Sequence, residues 1–572
     1  MKTRNKVILL GATVLAALTL AACSSSSKGG GNSSEGVTAS AKDVAKKGFP
    51  VVKKPLKLSM FAPGILQVDY SKLATLNEYA KKTNVSFTYT TPPAADVATK
   101  LNLALASGDV TDVIFAGGIT NQQALQYGGS SLIDLKPYID AGYMPNLKVI
   151  MDKYPNVAKS ITTPDGKIYT LPLLGNQYDW QDKENAEKAS QYQGQVWLNG
   201  DWLKKLNLEV PKTTDDLIKV LTAFKNDDPN GNGKADEIPL STTVGTTAAN
   251  GGTSGGYYAV RNWVMNAFGV LTQEQQVDSK GKVTYGAIQP GYRDYLEYMN
   301  KLYTDGLLDK QTFSQSDDQA KAKGANNLLG AYTDWFSYFT SNKTLDEAVN
   351  DPMGLPLTSP VSDKPQVIAT DGITNGAFAV TSKCSNPAAA LRWVDYFYSS
   401  KGSQYLNSGP DEAHGGYWHE ETNSKGEKVK VLNKGIAKKD AEDARGKVTP
   451  DYGTVPPKVG ARAAIVLENK DDSTEPDKFT QFIWNEMAKV KDDEVVAWPT
   501  LYMSAKQQTE LGSTLQVDLL TYVTQMEAKF ITGQEPLNDS SWKTYVDTLK
   551  KIGVDKYIKV QQAAYDSYEK SK

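Results

Sequence analysis

The chain has very little cysteine and histidine, with two of each in 572 residues. That leaves little material for a disulfide framework or for a zinc centre, which draws its ligands from clusters of Cys and His. Charge of one sign is also lacking: 63 Lys and Arg stand against 65 Asp and Glu, a formal net charge of −2. No basic block stands out, so no nucleic-acid partner that depends on counterion release is expected. Neither G-x-x-x-x-G-K-[ST] nor G-x-G-x-x-G occurs, and nucleotide chemistry has no support. There is no internal repeat of roughly 20–50 residues. Long apolar runs are absent except at the N-terminus.

What is present points to a folded, multi-part chain. Forty per cent of residues are apolar and 22% charged, enough for a sizeable core. At roughly 100–200 residues per domain the length suits three or four domains or two large lobes. Aromatic residues are plentiful and skewed, with 30 Tyr against 14 Phe and 10 Trp. Tyr and Trp join an apolar face to a polar edge, which suits amphipathic ligands such as sugars.

Residues 1–22 read as a signal peptide: Lys2, Arg4 and Lys6 precede an uncharged run from Val7 to Ala22 that is short for a spanning helix. The run ends in Leu20-Ala21-Ala22-Cys23, which resembles the lipobox of bacterial lipoproteins, where the Cys receives a diacylglycerol and becomes the new N-terminus. Cys23 is therefore the expected lipid attachment site, palmitate-type acyl chains the expected anchor, and the outer face of the cell membrane the expected location. Two acyl chains hold a protein far better than one. Residues 23–50 begin with SSSSKGGGNSSEG after the Cys and read as a flexible tether. Cys384 then has no partner within the chain.

Beyond the tether the hydrophobic periodicity alternates between two and 3.6 residues. LKLSMFAP (56–63), VSFTYT (85–90) and DVIFAGG (112–118) read as strands, separated by helical stretches from Ser71 and over 94–107, the second stopping at Gly108. Such a succession predicts a parallel α/β sheet, with ligands outside the strands' carboxyl ends near Ala62–Gly64 and Ala116–Gly118. KIYTLPLL (167–174) and GAFAV (376–380) are further strand candidates. Thr213 and Asn386-Pro387 read as helix caps, and Trp542, Tyr545, Leu549 and Ile552 as an apolar stripe. The expectation is an α/β chain in two lobes, the second richer in helix.

The sharpest motif is Asp228-Pro-Asn230-Gly-Asn232-Gly233-Lys234-Ala-Asp236-Glu237. Oxygen side chains at loop positions 1, 3, 5 and 9 around a Gly at 6 are what a calcium loop needs, the Lys234 carbonyl adding one more oxygen. Position 12 is Pro239 in place of Glu, and Glu237 at position 10 would supply the terminal carboxylate. The loop reads as a structural clamp. Gly252-Thr-Ser254-Gly-Gly256 matches G-x-S-x-G, but a loop precedes it where a nucleophile elbow requires a strand. His414 and His419 are five apart in a loop-like stretch, a spacing that does not make a metal site on a helix. Ligand contacts are expected where aromatics sit beside acids, because a ring face stacks on a pyranose while a carboxylate accepts from its hydroxyls. These are Asp179 with Trp180, Asp334 with Trp335, and Tyr417 with Trp418. Trp393 and Trp542 read as core.

These pieces together resemble the family 1 extracellular solute-binding lipoproteins of ABC transporters, most of all their long, oligosaccharide-directed members, among them alginate-binding proteins and Gram-positive lipoproteins. The stretches that carry the likeness are the lipobox, 104–118, 154–173, 196–240, 386–409 and 529–570. The resemblance implies a two-lobe, periplasmic-binding-protein-like α/β fold with a hinge and a ligand cleft between the lobes. The expected lobe boundaries are 51–170 with about 355–410, and 171–354 with about 411–572. It also implies an oligosaccharide ligand, ABC permease subunits as partners, a monomer, no catalysis, and calcium at Asp228, Asn230, Asn232, Lys234, Asp236 and Glu237. A non-sugar solute such as a peptide, or a secreted glycoside hydrolase with two working carboxylates, are the alternatives.

Overall fold

The structure is a computed structural model and is described for residues 41–571, apart from 65–67, 191, 193–195, 245–255, 463–464, 476 and 513. The expected signal peptide, Cys23 and most of the expected tether lie outside the described residues, as does nearly all of the 252–256 motif.

The first of two main cores is built on a five-stranded sheet. Leu56–Phe61 lies between Val85–Thr90 and Val113–Phe115, both parallel to it, with Leu56 opposite Val85 and Met60 opposite both Tyr89 and Val113. This is the predicted parallel unit. Ile373–Val380 then runs antiparallel to Val113–Phe115, and Leu171–Leu174 closes the edge. The helix Val97–Ser107 stops at Gly108, whose φ of +73° is the left-handed geometry glycine tolerates. Two elements are shorter than the periodicity suggests. The first helix starts at Ala74, because the Asp69 carboxylate binds the Ser71 amide and hydroxyl and closes a separate turn. Only Leu171–Leu174 of the 167–174 run pairs as a strand, since Thr163 Oγ1 and Asp134 Oδ1 take the Lys167 and Ile168 amides instead.

The second core surrounds Val196–Leu198, Leu329–Thr333 and Ile238–Leu240, in that order. Its helices include Thr214–Asn226, capped by Thr213 accepting from the Asp216 amide at 3.0 Å, and Leu515–Thr532 and Asp539–Ile552 from the C-terminal region. Trp393 is buried in the first core and Trp542 packs against the second. The contacts apportion two stretches differently from the expected boundaries. Leu357 and Val367 pack in the second unit, because the chain does not return to the first sheet until Ile373. Residues 417–448 lean on the first unit, where Tyr417 packs beside Ala74 and the Val448 carbonyl accepts the Thr75 amide. The 418–422 stretch expected as a loop is a strand, paired in a hairpin with Lys428–Leu432.

Each unit also holds buried charge with its partners in place. Asp395 receives the Asn146 and Leu147 amides at a helix start, and burial pushes its carboxyl up to about 6. Glu527, 1% exposed, accepts from Arg261, Tyr257, Tyr295 and Gln273, tying Leu515–Thr532 to the Tyr257–Asn266 and Pro290–Thr304 helices. Removing one partner of such a pair strands the other charge in a poorly solvated interior. Glu527→Ala is therefore expected to lower stability by about 3–5 kcal/mol, read from urea midpoints. A loss below about 1 kcal/mol would show that water reaches Arg261.

Candidate ligand-binding site

The strand registers show which ends of the two sheets face each other. Ile373 lies opposite Leu174 where the chain enters and leaves the first sheet, and the antiparallel register puts the carboxyl ends of Leu56–Phe61 and Val113–Phe115 at that same end. In the second unit Val196, where the chain arrives, lies opposite Thr333. The carboxyl end of Leu329–Thr333 thus points toward the crossings, and Asp334 and Trp335 follow it directly.

Three chain segments meet where the units join: 175–190 and 370–372, which cross between them, and 497–502, which leaves the second unit at Val496 and reaches the first at Tyr502. One residue joins all of them. The Asp371 carbonyl accepts from Tyr178 Oη at 2.6 Å and Gln177 Nε2 at 3.1 Å, on the first crossing. Its carboxylate accepts from the Thr500 amide and hydroxyl, on the third. The Thr500 hydroxyl also donates to the Ile373 carbonyl, and Gly175 donates its amide to Gly372. Burial pushes the Asp371 carboxyl above the ordinary range, while the Thr500 and Ile373 amides pull it back.

Around this knot lies a cavity of about 610 Å3 lined from both units. The first sheet contributes Leu174, Asn176 and Thr374, with Lys458 and Gly460 beside them, and the second unit contributes Glu274, Ile368 and Trp498. The volume falls within the range of small-molecule sites, roughly 300–1,000 Å3. The indole of Trp498 rests against Tyr565 at 5.8 Å between centroids, and burial raises the Glu274 carboxyl. Rings, amides and acids converging from two walls can stack on a polyhydroxylated ligand and pair its hydroxyls.

The expected ligand residues do not gather at one place. Trp335 is 58% exposed at the end facing the crossings, an open ring face. Asp334 beside it is already engaged, accepting from the Trp335 amide and the Thr340 hydroxyl. Asp179 is fully buried and accepts from Ser400 Oγ at 2.5 Å, and Trp180 packs partly buried against the first core. Tyr417, 6% exposed, belongs to the small core under the hairpin, so it presents no free ring. Trp418 donates Nε1–H to the Ser408 carbonyl and carries Lys430 over its ring. None of these six residues lines the cavity between the units. Asn176, Glu274, Asp371, Lys458 and Trp498 were missed by the sequence reading. The visible signals are slight: a Thr-Asp-Gly turn before a strand, and a Trp-Pro pair after Glu494–Val496.

The 228–237 loop folds as its spacing suggests. Asp228 takes the Gly231, Asn232 and Gly233 amides, with φ of +74° and +75° at the two glycines. The Asn230 and Asn232 side chains turn to Asp236, whose carboxyl these bonds hold low. One oxygen of Glu237 is buried without a partner. An oxygen-rich ring with an orphaned carboxylate oxygen fits a hard cation. The loop precedes Ile238–Leu240, which is parallel to Leu329–Thr333, so it lies at the end of the sheet away from Trp335. The histidines are engaged separately, His414 with Asp411 and His419 with Glu421 and Asn433. Among the described residues no cluster of three His, Cys, Asp or Glu is placed to hold a metal.

A model of the bacterial extracellular solute-binding proteins matches residues 67–404. The chain is 30% identical over 554 residues to a fructooligosaccharide ABC transporter substrate-binding protein, FusA, of Streptococcus pneumoniae, covering 94% of this chain and 95% of that one. Solved structures of FusA with kestose, and of its EF-hand mutant with fructo-nystose, superpose with a TM-score of 0.67 at 25% identity, covering 90% of this chain and all of theirs. A solute-binding protein from Bifidobacterium longum infantis, described as HMO-binding, shares the fold at a TM-score of 0.68 and 20% identity, over 91% of this chain and all of that one.

The Asp371 knot generates an expectation of its own. Asp371→Ala leaves the Thr500 amide without its acceptor, an omission that costs about 1–3 kcal/mol, and frees the 497–502 segment from the 370–372 crossing. Urea denaturation should show the loss, and small-angle scattering a wider spread of lobe orientations. An unaltered midpoint and unaltered scattering would mean the crossings are held elsewhere.

Proposed function

Because the chain belongs to the bacterial extracellular solute-binding protein family, we propose that it captures an oligosaccharide outside the cell, between its two lobes, and delivers it to the permease subunits of an ABC importer. The observation that carries this reading is the cavity lined by both lobes around Asp371. The likeness to a fructooligosaccharide-binding protein over nearly the whole chain supports the choice of a saccharide. In this reading Trp498 stacks on a sugar face and Asn176 and Glu274 pair with hydroxyls. Trp335 meets the ligand from the second lobe. A ligand that touches both walls only when they approach binds the shut form more tightly, which is what shifts the population toward closure. The sugar leaves unchanged, and the protein acts as a monomer held to the membrane through a lipid on Cys23.

The proposal extends to calcium. Asp228, Asn230, Asn232, Asp236, Glu237 and the Lys234 carbonyl would hold the ion, which would fix the connection between Thr214–Asn226 and Ile238–Leu240. The buried, unpartnered Glu237 oxygen supports this, as does the EF-hand named for FusA.

Calorimetry against a panel of fructooligosaccharides and other neutral oligosaccharides tests the main reading. Trp498→Ala and Trp335→Ala should each weaken binding by about 1–3 kcal/mol, with the sugars recovered intact by chromatography. Binding of peptides and of no saccharide, or cleavage of the sugars, would defeat it. For calcium, EDTA should lower the melting temperature by several degrees and calcium restore it, since a ligand at about 100 times its Kd adds about 2.7 kcal/mol. Asp228→Ala should remove that response. An unresponsive parent protein would reduce the loop to a turn.

A further inference from the structure

The hairpin that carries Trp418 borders a second hollow, of about 670 Å3, that belongs to the first lobe alone. The Ala74–Thr83 helix, the Ser400–Ser408 helix and the 409–430 stretch form its walls, and none of its lining comes from the second core. Its chemistry differs from that of the inter-lobe cavity. Lys82, Lys401 and Lys430 line it, and none has a carboxylate within ion-pair distance among the described residues. The two acids on its rim are engaged, Glu78 with Lys81 at 2.5 Å and Asp411 with His414. Three ammonium groups therefore face one space without an ion pair, Glu420 acting on Lys430 only from a distance, in a chain whose net charge is slightly negative.

Two of these lysines are also held in place. Lys82 Nζ lies over the rings of Phe49 and Tyr396, at 4.3 and 4.7 Å from the centroids, and Lys430 Nζ lies 4.0 Å over Trp418. Ring faces orient an ammonium without neutralising it. Burial lowers the pKa of both, a strain on the charged form that an anion in the hollow would relieve. Tyr396, Tyr405 and Trp418 add flat, amphipathic surface next to the charges.

The geometry points to a second binding site, separate from the inter-lobe cleft, for an anionic saccharide whose carboxylate or phosphate meets Lys82, Lys401 and Lys430 while a sugar ring lies against the aromatic wall. A concave site within one lobe suits a discrete ligand better than a broad membrane surface.

Titration calorimetry of the purified protein at low salt tests this with trigalacturonate, glucose 6-phosphate, inorganic phosphate and a neutral trisaccharide. Vesicles containing phosphatidylglycerol provide the membrane arm. The expected result is binding of trigalacturonate, glucose 6-phosphate or both, the one that binds identifying the anion. That binding should weaken at least about tenfold in the Lys82→Gln, Lys430→Gln double variant, fall as salt screens the ammonium groups, and survive Trp498→Ala. If the double variant melts early, Lys401→Glu, on an exposed side chain, should abolish binding at an unchanged melting temperature. The proposal is overturned if no anionic saccharide binds or if binding is lost only with Trp498. It is likewise overturned if inorganic phosphate alone binds as tightly as the saccharides, or if vesicles bind through these lysines and saccharides do not.

Discussion

The arrangement of the two lobes depends on the hydrogen bonds of Asp371. Three stretches of backbone meet at the junction of the units, and this one residue accepts from 175–190 through its carbonyl and from 497–502 through its carboxylate. A carboxylate taking a backbone amide and a hydroxyl is among the stronger neutral-to-charged arrangements, and its partial burial limits competition from water. Because the knot sits at the entry to both sheets, it fixes which strand ends face each other. The cavity between the lobes forms around the same residue. Hinge and ligand space are thus built from the same few side chains, so a ligand in contact with Thr374, Trp498 or Asp371 touches the parts that must move.

Much of the fold was legible in the sequence because its signals are local. Alternation marks Leu56–Phe61 and Val85–Thr90, a side-chain oxygen three residues ahead of an amide marks the caps at Thr213 and Asn386, and Gly108 ends its helix by the conformation it alone adopts at no penalty. The site was not legible for the opposite reason. Asn176, Glu274, Asp371, Lys458 and Trp498 are each ordinary in their neighbourhoods and acquire meaning only once the chain has crossed three times. The lobe boundaries suffered similarly: nothing in residues 355–370 announces that the crossing comes after them and not before.

Tyr417 and Trp418 show how local composition misleads. A stretch with Tyr, Trp, His and Glu together has the chemistry of a sugar platform, yet the fold gives these side chains partners of its own. Tyr417 goes inward to Leu432 and Val448, and Trp418 packs at the edge of the same small core while its ring carries Lys430 in a different hollow. The residue types were read correctly and their company was not. Ligand chemistry is a property of which side chains share a space, and for a hairpin that is decided by the partner strand, here Lys428–Leu432.

The acids can be sorted by what they already hold. Glu527, Asp395 and Asp351 are enclosed, and their oxygens take amides, hydroxyls and cations of the protein itself, so each could accept from a ligand hydroxyl only by giving up a bond that stabilises the fold. Asp334 is in the same position on the surface, with one oxygen on the Trp335 amide and the other on Thr340. It serves to place the Trp335 ring, which stays 58% exposed. Glu274 differs: it lines the cavity, among the described residues it accepts from the Gln516 amide alone, and burial makes its charged form costly. A hydroxyl donated to that carboxylate would relieve the penalty, so the acid best suited to a saccharide is one the fold has left incompletely satisfied.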